Sequence, residues 1–270
     1  MDCFVSALAI YPLKSAAGIP VPSARITPRG LEWDRHWMLV DADGNFVTQR
    51  VQPRMALIRA SVEDGMLALE APGMPDLLAR PYTPVTLHVK VWNDQVPAET
   101  VSAEADAWLC AFLSAKVRLV HFPEAVQREV DPFWAGNGHF TSFSDGFPFL
   151  VTTQSGFDRL SMQWERPVHW LRFRPNIVIG GTALPFAEDK WSELQISGTK
   201  FAMVKPCSRC VIPSIDPVTA LKDSGFQQML AHERRQADGK IYLGQNAVVI
   251  TLGGEGRIST GDRVQWITAV

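Results

Sequence analysis

The sequence predicts a mostly β protein with a few helices, an α+β fold built from closed or sandwiched sheets. Short alternating runs bounded by turn residues dominate the first hundred residues, and only three segments carry a helical pattern. No strand–helix–strand pattern repeats along the chain. At 270 residues the chain exceeds the roughly 250 at which single cores stop growing, so we expect two closely packed parts. We place the boundary within residues 93–118 and divide the chain into residues 1–115 and 116–270.

Two segments of the first part carry strand signals. Residues 37–40 form an apolar run, residues 41–45 are turn formers, and residues 46–48 resume the strand pattern, which predicts a hairpin. Residues 85–91 alternate strictly, with aliphatic side chains at every odd position. The even positions are polar or charged, so we expect one face of this strand to meet solvent.

The strongest helix signal covers residues 102–114. Its apolar residues recur at helical spacing, and Ser102 is a suitable N-cap. They are Ala105, Trp108, Leu109, Phe112 and Leu113. This helix should therefore pack along one apolar face.

Two further helices are expected in the second part. One follows Thr153, which together with Ser155 offers capping oxygens. The other covers residues 221–233, and its inward residues are Phe226, Met229 and Leu230. We interpret the remaining apolar segments as strands: 176–179, 193–196, 201–204, 247–252 and 263–268.

The bulk composition excludes several classes of partner. Hydrophobic residues make up 46% of the chain, charged residues 20%, and the formal net charge is -2, so there is no basic surplus for nucleic acid. No apolar run reaches the roughly 18 residues of a membrane span, and residues 1–5 lack a basic leader. We therefore expect a cytoplasmic protein with no membrane span and no nucleic-acid partner.

The four cysteines limit the redox chemistry that the chain can carry alone. Cys3, Cys110, Cys207 and Cys210 match no ferredoxin-type ligand spacing, so we expect no iron–sulfur cluster of its own. Four are also too few for a disulfide scaffold. We interpret Cys3 and Cys110, which lie in apolar stretches, as small buried hydrophobic residues.

The pair Cys207 and Cys210 has four possible uses, because a thiolate binds soft metals and takes part in redox reactions. A zinc site needs two more ligands, and the six histidines are scattered. A thioredoxin-like dithiol needs a following helix, which Pro213 and Pro217 oppose. The pair could also be inert, or one cysteine could ligate a metal that a larger cofactor brings. Spacing alone leaves these alternatives open.

Several polar clusters stand where a β protein would need only turns. They occupy residues 11–15, 34–37, 144–149 and 172–176. Lys14, Ser15 and Arg35 supply donors suited to a phosphate, which arginine grips through two parallel hydrogen bonds. Asp145 and Asn176 are suited to the polar edge of a ring. Each residue alone fits an ordinary surface role, and only their joint occurrence indicates a binding site.

Six ordered motifs span nearly the whole chain and resemble the MOSC family, within it the group that includes the mitochondrial amidoxime-reducing component. The motifs are Tyr11-Pro12-x-Lys14-Ser15, Asp34-Arg35-x-Trp37, Ser144-Asp145-x-x-Pro148-Phe149, Phe173-Arg174-Pro175-Asn176-Ile177, Cys207-Ser208-Arg209-Cys210 with Asp216-Pro217, and Gly261-Asp262-x-Val264. The resemblance implies an N-terminal β-rich MOSC_N domain, residues 1–115, packed on a β-barrel-like MOSC domain, residues 116–270.

The same resemblance implies a role for each matching residue. Cys210 becomes the catalytic ligand of molybdenum in a molybdenum cofactor, a molybdopterin that carries the metal, and Cys207 is a neighbour. Ser208 and Arg209 line the same loop. The implied phosphate contacts are Lys14, Ser15 and Arg35, and the implied pterin contacts are Ser144, Asp145, Arg174 and Asn176. Gly146 departs from the relatives, which carry a hydroxyl residue there, so we expect a backbone contact at this position.

The activity implied by the resemblance is two-electron reduction of N-hydroxylated compounds, such as amidoximes and hydroxylamines, to the amine or amidine and water. Because cluster ligands are missing and the chain ends at Val270 after its last strand, we expect electrons from a separate iron–sulfur or haem protein and its reductase. That donor should dock near Cys210. Two other functions stay open: a non-redox carrier of the cofactor or its sulfur, which would use the same residues, and a cofactor-free thiol or binding module.

Overall fold

A closed β-barrel and a second, smaller sheet organise the chain. The computed structural model describes residues 2–81 and 83–268, so Val270 lies outside the described residues. The strands are β1 Cys3–Ile10, β2 Ile19–Val21, β3 Ser23–Thr27, β4 Gly30–Leu31, β5 Trp37–Val40, β6 Arg59–Glu63, β7 Met66–Glu70, β8 Leu77–Ala79, β9 Thr86–Val91, β10 Asp94–Thr100, β11 Arg118–His121, β12 Arg128–Glu129, β13 Phe140–Thr141, β14 Phe149–Thr153, β15 Ile177–Gly180, β16 Trp191–Ile196, β17 Thr199–Ser208, β18 Tyr242–Thr251, β19 Arg257–Ser259 and β20 Arg263–Thr268.

The helices are short. The α-helices are α1 Ala103–Leu113, α2 Pro132–Ala135, α3 Gln154–Trp164 and α4 Ser224–Arg234, and 3₁₀ helices cover Pro53–Leu57, Trp170–Phe173, Ala187–Lys190 and Ile212–Ser214. None of the helices in the described part of the chain has the length and apolar run that crossing a membrane requires.

Seven strands form the barrel, in the order β15-β14-β18-β17-β16-β20-β1. The barrel closes because β1 pairs antiparallel with β15, which places Val5 opposite Ile179 and Leu8 opposite Ile177. β2 extends the sheet beyond β1. Closure leaves no free edge along these strands, which confirms the predicted α+β fold with a β-barrel.

Aromatic and aliphatic side chains fill the barrel core. Phe149 and Phe201 are both buried, and their rings meet edge to face with centroids 5.2 Å apart. On the outer side, α3 and α4 cover Val178 of β15 with a second apolar cluster. Because α3 connects β14 to the parallel strand β15, the barrel contains one strand–helix–strand unit, which does not repeat.

The second sheet has the order β5-β11-β10-β9 and forms a half-barrel. The helix α1 packs beside it through the apolar face predicted from the sequence, and the Ser102 hydroxyl accepts a hydrogen bond from the Ala105 N–H. β1 and β2 belong to the barrel, whereas β11 belongs to the second sheet. Strands on both sides of residue 115 therefore share sheets, and the division of the chain at that residue stays a prediction.

The predicted hairpin at residues 37–48 forms, but its second strand is very short. The turn forms, with the Asp41 carboxylate accepting hydrogen bonds from the Asp43 and Asn45 N–H groups, but the returning segment makes only a single bridge, between Val40 and Phe46. The Val47 and Asp41 N–H groups donate to the Leu39 and Asn45 carbonyls, and β5 also pairs with the distant β11, which the sequence did not predict. Strand β9 agrees with its prediction, since Val89 and Val91 are buried while the even positions are exposed.

Two helix starts differ from their predictions. α4 begins at Ser224, three residues late, because Lys222 is engaged in a bridge with Ile215. Thr153 precedes α3, but its hydroxyl donates to the buried carboxylate of Glu188, 2.6 Å away, and does not cap the helix. A buried carboxylate without a hydrogen-bond partner destabilises the fold more than an uncapped helix N–H group does. The Thr153 hydroxyl therefore donates to Glu188 rather than capping the helix.

Replacing the barrel-core residue Phe201 should weaken the whole fold. We expect Phe201→Ala to lower the free energy of unfolding by about 3–5 kcal/mol, because a fully buried ring is lost and a cavity remains. Urea denaturation followed by circular dichroism measures it. Met162→Ala is the control, since this side chain on α3 is 72% exposed and its loss should change the value by no more than about 0.5 kcal/mol. Equal effects of the two substitutions would contradict this account of the core.

Candidate functional site

A cavity of about 750 Å³ opens where the barrel meets the half-barrel, and all eleven residues proposed from the sequence line it. These residues are Lys14, Ser15, Arg35, Ser144, Asp145, Gly146, Arg174, Asn176, Ser208, Arg209 and Cys210. They come from five separate segments of the chain, so the fold alone brings them together.

The cavity is strongly basic although the chain carries a net charge of -2. Among the described residues that line it, Asp145 is the one acidic side chain, against eight cationic ones. The cations are Lys14, Arg35, Arg50, Arg174, Lys205, Arg209, Arg235 and Lys240. Such a concentration of positive charge in a concave, partly buried site attracts an anionic ligand.

Tyr11 holds two of these cations. Its ring is fully buried, and its hydroxyl donates to the Pro175 carbonyl at 3.0 Å. The guanidinium carbons of Arg35 and Arg174 each lie 4.3 Å from the centre of this ring. The electron-rich face of an aromatic ring attracts a guanidinium, so Tyr11 stabilises two like charges close to each other.

Arg35 is fixed in place by its neighbours. Its Nη1 donates to the buried carboxylate of Asp34 and to Asn176 Oδ1 at 3.2 Å, and its Nη2 donates to the Arg174 carbonyl. Asn176 is 1% exposed, and its amide also bonds the backbone of Ala9 and Leu150 in neighbouring barrel strands. Asn176 therefore links the barrel wall to the orientation of Arg35.

Two guanidinium nitrogens in the cavity wall are buried and have no hydrogen-bond partner within the described chain: Arg174 Nη2 and Arg209 Nε. Other donors of these side chains are engaged: Arg174 Nη1 donates to the Ala16 carbonyl, and Arg209 donates to Cys207 Sγ and to the Phe173 carbonyl. An unpaired buried donor costs about 1–3 kcal/mol, and an anionic acceptor in the cavity would remove that cost. Burial, with Arg35 nearby, lowers the pKa of Arg174 to about 10, which a bound anion would oppose.

Lys14 forms an ion pair within the cavity. Its Nζ donates to the Phe143 carbonyl and to Asp145 Oδ1, both at 2.6 Å. Burial lowers the pKa of Lys14 to about 8, although Asp145 opposes the shift. Burial acts to raise the pKa of Asp145, but the Lys14 ammonium and the more distant Arg50 outweigh it and hold that pKa below its usual range. One of the three N–H donors of Lys14 stays available for a ligand.

Around the cavity the backbone adopts left-handed conformations that residues other than glycine seldom take. Ser15, Arg35 and Arg174 have φ angles of 66°, 53° and 58°. Such residues persist only where the surroundings hold them, and they cluster at functional sites. Ser15 is held by Gln49, whose side-chain nitrogen donates to its carbonyl at 2.7 Å.

The thiol pair lies where β17 ends. Cys207 and Cys210 are half-buried free thiols, and the Arg209 guanidinium lies 2.9 Å from Cys207 Sγ. Cys210 Sγ accepts a weak hydrogen bond from the Ile212 N–H at 3.5 Å, at the start of a 3₁₀ turn. The element directly after the pair is the 3₁₀ turn Ile212–Ser214, and the next α-helix begins only at Ser224, as the two prolines predicted.

Contacts beyond the cavity hold the loop that follows Cys210. Arg172 donates to the Pro213 carbonyl at 3.2 Å and to Asp216 at 2.5 Å. This ion pair links the segment before β15 to the segment after the thiols. Within residues 2–81 and 83–268, no three His, Cys, Asp or Glu side chains are grouped as in a metal site made by protein alone.

The loop at residues 142–146 is held from outside the cavity. Arg128 is buried and donates to the carbonyls of Ser142 and Ser144 at 2.9 and 2.6 Å. Ser144 is buried, whereas Ser208 is exposed at the cavity edge. A Cβ added at Gly146 would meet no atom within 4 Å, so the ligand can approach the backbone closely at this position.

Sequence reasoning missed several residues of this site. Tyr11 stood in a recognised cluster, but nothing in the sequence indicated that its ring holds two arginines. The missed cavity residues with charged or aromatic side chains are Arg50, Trp92, Lys205, Arg235 and Lys240. They are scattered along the chain, so only the fold shows that they share one opening.

Two family models match the chain. The MOSC N-terminal beta barrel domain matches residues 3–116, and the MOSC domain matches residues 139–265. Every segment that lines the cavity falls within these two matches.

Curated relatives are similar over most of the chain. Mitochondrial amidoxime-reducing component 1 of Homo sapiens is 32% identical over 281 residues, which cover 96% of this chain and 82% of the relative. The Mus musculus protein of the same name is 34% identical, covering 81% of this chain and 67% of its own length. Mitochondrial amidoxime reducing component 2 of Bos taurus is 32% identical, with shares of 81% and 68%.

Anion binding in the cavity should weaken as the pH rises past about 8. Below that pH the Lys14 side chain is already a charged ammonium. Above it the amine is neutral and must take up a proton from solvent when the anion binds, which lowers the affinity. Sulfate keeps its charge from pH 6 to 10, so it is a suitable probe. We expect its affinity, measured by calorimetry, to fall between pH 7 and 10 by about tenfold for each unit that the anion raises the pKa of Lys14.

The control for this titration is Lys14→Arg, which stays charged throughout and should flatten the pH dependence. A wild-type affinity that does not change between pH 7 and 10 would show that Lys14 does not contact the anion.

The aromatic ring of Tyr11 should matter more to anion binding than its hydroxyl. Tyr11→Leu removes both guanidinium contacts, each worth about 0.5–2 kcal/mol. Because Arg35 and Arg174 are then no longer held in place, sulfate affinity at pH 7 should fall at least about tenfold. Tyr11→Phe keeps the ring and should keep most of the affinity. Calorimetry measures both variants, and circular dichroism checks that each is folded. Equal losses in the two variants would contradict the role given to the ring.

Proposed function

Because this chain belongs to the MOSC family together with the mitochondrial amidoxime-reducing components, we propose that it is a molybdenum-cofactor-dependent oxidoreductase. Its substrates in this proposal are small N-hydroxylated compounds such as amidoximes and hydroxylamines. The relatives support the class of reaction, since they are named for amidoxime reduction. The cytoplasmic location expected from the sequence stays a prediction.

One observation carries the proposal: a single basic cavity gathers all eleven residues that the family resemblance assigned to the cofactor. Its donor set fits a molybdopterin, which combines an anionic phosphate with a polar ring and a soft metal. The unpaired nitrogens of Arg174 and Arg209 fit anionic acceptors, and a thiol lies in the same wall.

The residues divide the work of holding the cofactor. Lys14, Ser15 and Arg35 would hold the phosphate, with Tyr11 orienting Arg35. A further set would contact the pterin, and it consists of Ser144, Asp145, the Gly146 backbone, Arg174, Ser208 and Arg209. Asn176, which the family resemblance also assigns to the pterin, lines the cavity, and its carbonyl oxygen orients Arg35 as well. Cys210 would supply the sulfur ligand, and Cys207 would lie beside it without binding the metal.

The reaction needs two electrons and two protons for each molecule. An amidoxime, R–C(NH₂)=N–OH, takes up both to give the amidine, R–C(NH₂)=NH, and water, so the N–O bond breaks and nitrogen is reduced. When bound, the cofactor supplies this two-electron chemistry. The protein positions the cofactor between buried residues such as Phe173 and leaves the exposed side near Ser208 open to substrate. The electrons come from a separate protein.

A turnover assay separates reductase from carrier. Protein loaded with molybdenum cofactor should reduce benzamidoxime to benzamidine when dithionite-reduced methyl viologen supplies electrons, and product formation is followed by chromatography. The matched control is the same preparation of Arg174→Gln, which loses the buried guanidinium and should retain less cofactor. Full loading with molybdenum but no turnover would favour the carrier function.

The two cysteines should differ in their effect on the metal. Cys210→Ala should abolish molybdenum retention during purification, whereas Cys207→Ala should keep most of it, as measured by elemental analysis. Both thiols are half-buried, so neither substitution should disturb the fold. Equal losses in both variants would contradict the assignment of Cys210.

A further inference from the structure

An exposed pair of aromatic rings stands on the short helix α2. Phe133 is 83% exposed and Trp134 is 40% exposed, and their rings meet edge to face with centroids 5.3 Å apart. Neither belongs to a hydrophobic cluster in the described part of the chain. Adjacent large aromatic side chains that pack into no core are costly in water and typical of an interaction surface.

This aromatic pair adjoins the cavity through one lysine. Lys205 Nζ lies 4.8 Å from the centre of the Trp134 ring and 6.0 Å from that of Phe147. Lys205 and Phe147 both line the cavity. A partner that covers Phe133 and Trp134 would therefore also lie over the cavity mouth.

The cavity mouth carries cations that an inner phosphate does not need. Five inner cations, Lys14, Arg35, Arg50, Arg174 and Arg209, face two carboxylates, Asp34 and Asp145. The remaining net charge of about +3 is sufficient for one phosphate, close to -2. Lys205, Arg235 and Lys240 remain at the edge, where Arg235 and Lys240 are exposed. These three cations form no salt bridge to any carboxylate in residues 2–81 and 83–268.

We propose that Phe133 and Trp134, together with Lys205, Arg235 and Lys240, form the docking surface for the electron donor. The donor is a small protein with carboxylates around its own redox centre. This inference rests on the proposed function, because only a reductase needs such a partner. The unpaired cations are complementary to an acidic face and speed encounter, and the aromatic pair supplies apolar burial that holds the complex.

The electron balance suits repeated docking. A reduced one-electron carrier, such as a [2Fe–2S] protein, is oxidised as it gives one electron to the bound cofactor. Two dockings therefore supply the two electrons that one N–O bond consumes. A surface for such a partner should bind quickly and release quickly, which favours charge at the rim over a large apolar interface.

The test compares a donor that must dock with one that need not. The loaded protein is assayed on benzamidoxime with an acidic plant-type [2Fe–2S] ferredoxin and its NADPH reductase, and separately with reduced methyl viologen. In the double variant Phe133→Ser with Trp134→Ser, we expect kcat/KM for ferredoxin to fall about tenfold and the viologen rate to stay unchanged. Met162→Ser is the matched control, because Met162 is 72% exposed on α3 and does not line the cavity. It should change neither rate.

The dependence on ionic strength tests the charged part of this surface. Raising the ionic strength from about 0.05 to about 0.5 M should lower kcat/KM for ferredoxin several-fold without changing the viologen rate, because salt screens exposed charges. A double variant with wild-type ferredoxin kinetics would overturn the surface, and so would a loss of equal size with viologen. Viologen turnover without any ferredoxin turnover in the wild type would overturn the acidic donor.

A direct binding measurement tests the docking surface independently of the proposed reductase function. Loaded wild-type protein should bind ferredoxin in surface plasmon resonance at low salt, and the double variant should bind at least fivefold more weakly. Failure of turnover with viologen as well as ferredoxin would count against the reductase function, whatever the binding shows. A wild-type dimer that the double variant dissociates, in sedimentation velocity, would assign the aromatic pair to a second copy and overturn the donor surface.

Discussion

The antiparallel pairing of β1 with β15 is the constraint on which the rest of the structure depends. It closes the barrel, and it also brings the segment after β1 against the segment before β15. Tyr11 thereby reaches the Pro175 carbonyl, and Asn176 bonds Ala9. Residues more than 160 positions apart in sequence thus share one wall of the cavity. Because closure satisfies the strand edges, the barrel supplies a rigid support on which strained cationic loops can be held.

The cavity concentrates charge that the fold itself does not require. Holding Arg35 and Arg174 on one tyrosine ring, with a buried lysine nearby, costs desolvation and mutual repulsion. The buried carboxylate of Asp34 and the ring offset part of that cost. The unpaired nitrogens of Arg174 and Arg209 show that the chain's own residues do not offset all of it. A bound anion completes the site, so binding should also stabilise the folded protein.

The sequence predicted the class of fold and the helix α1 well, because these depend on local periodicity. It also predicted that eleven scattered residues belong to one site, and the structure brings them together, although their roles in binding stay predictions. It did not predict long-range pairing: β5 forms the expected short pairing with Phe46, but its longer partner is β11, which lies far away in the sequence. The exposed cations at the cavity mouth could not be predicted for the same reason. Single arginines and lysines form no sequence motif, and only the fold shows that they lie together.

Cys210 is the proposed sulfur ligand of the metal, and Cys207, beside Arg209, is proposed to lie outside the coordination sphere. Molybdenum K-edge X-ray absorption, which counts the sulfur neighbours of the metal, tests this assignment most directly when the loaded wild type is compared with loaded Cys207→Ala. The account predicts the same number of sulfur neighbours in both proteins. A count lower by one in Cys207→Ala would show that the other thiol binds the metal and would contradict it.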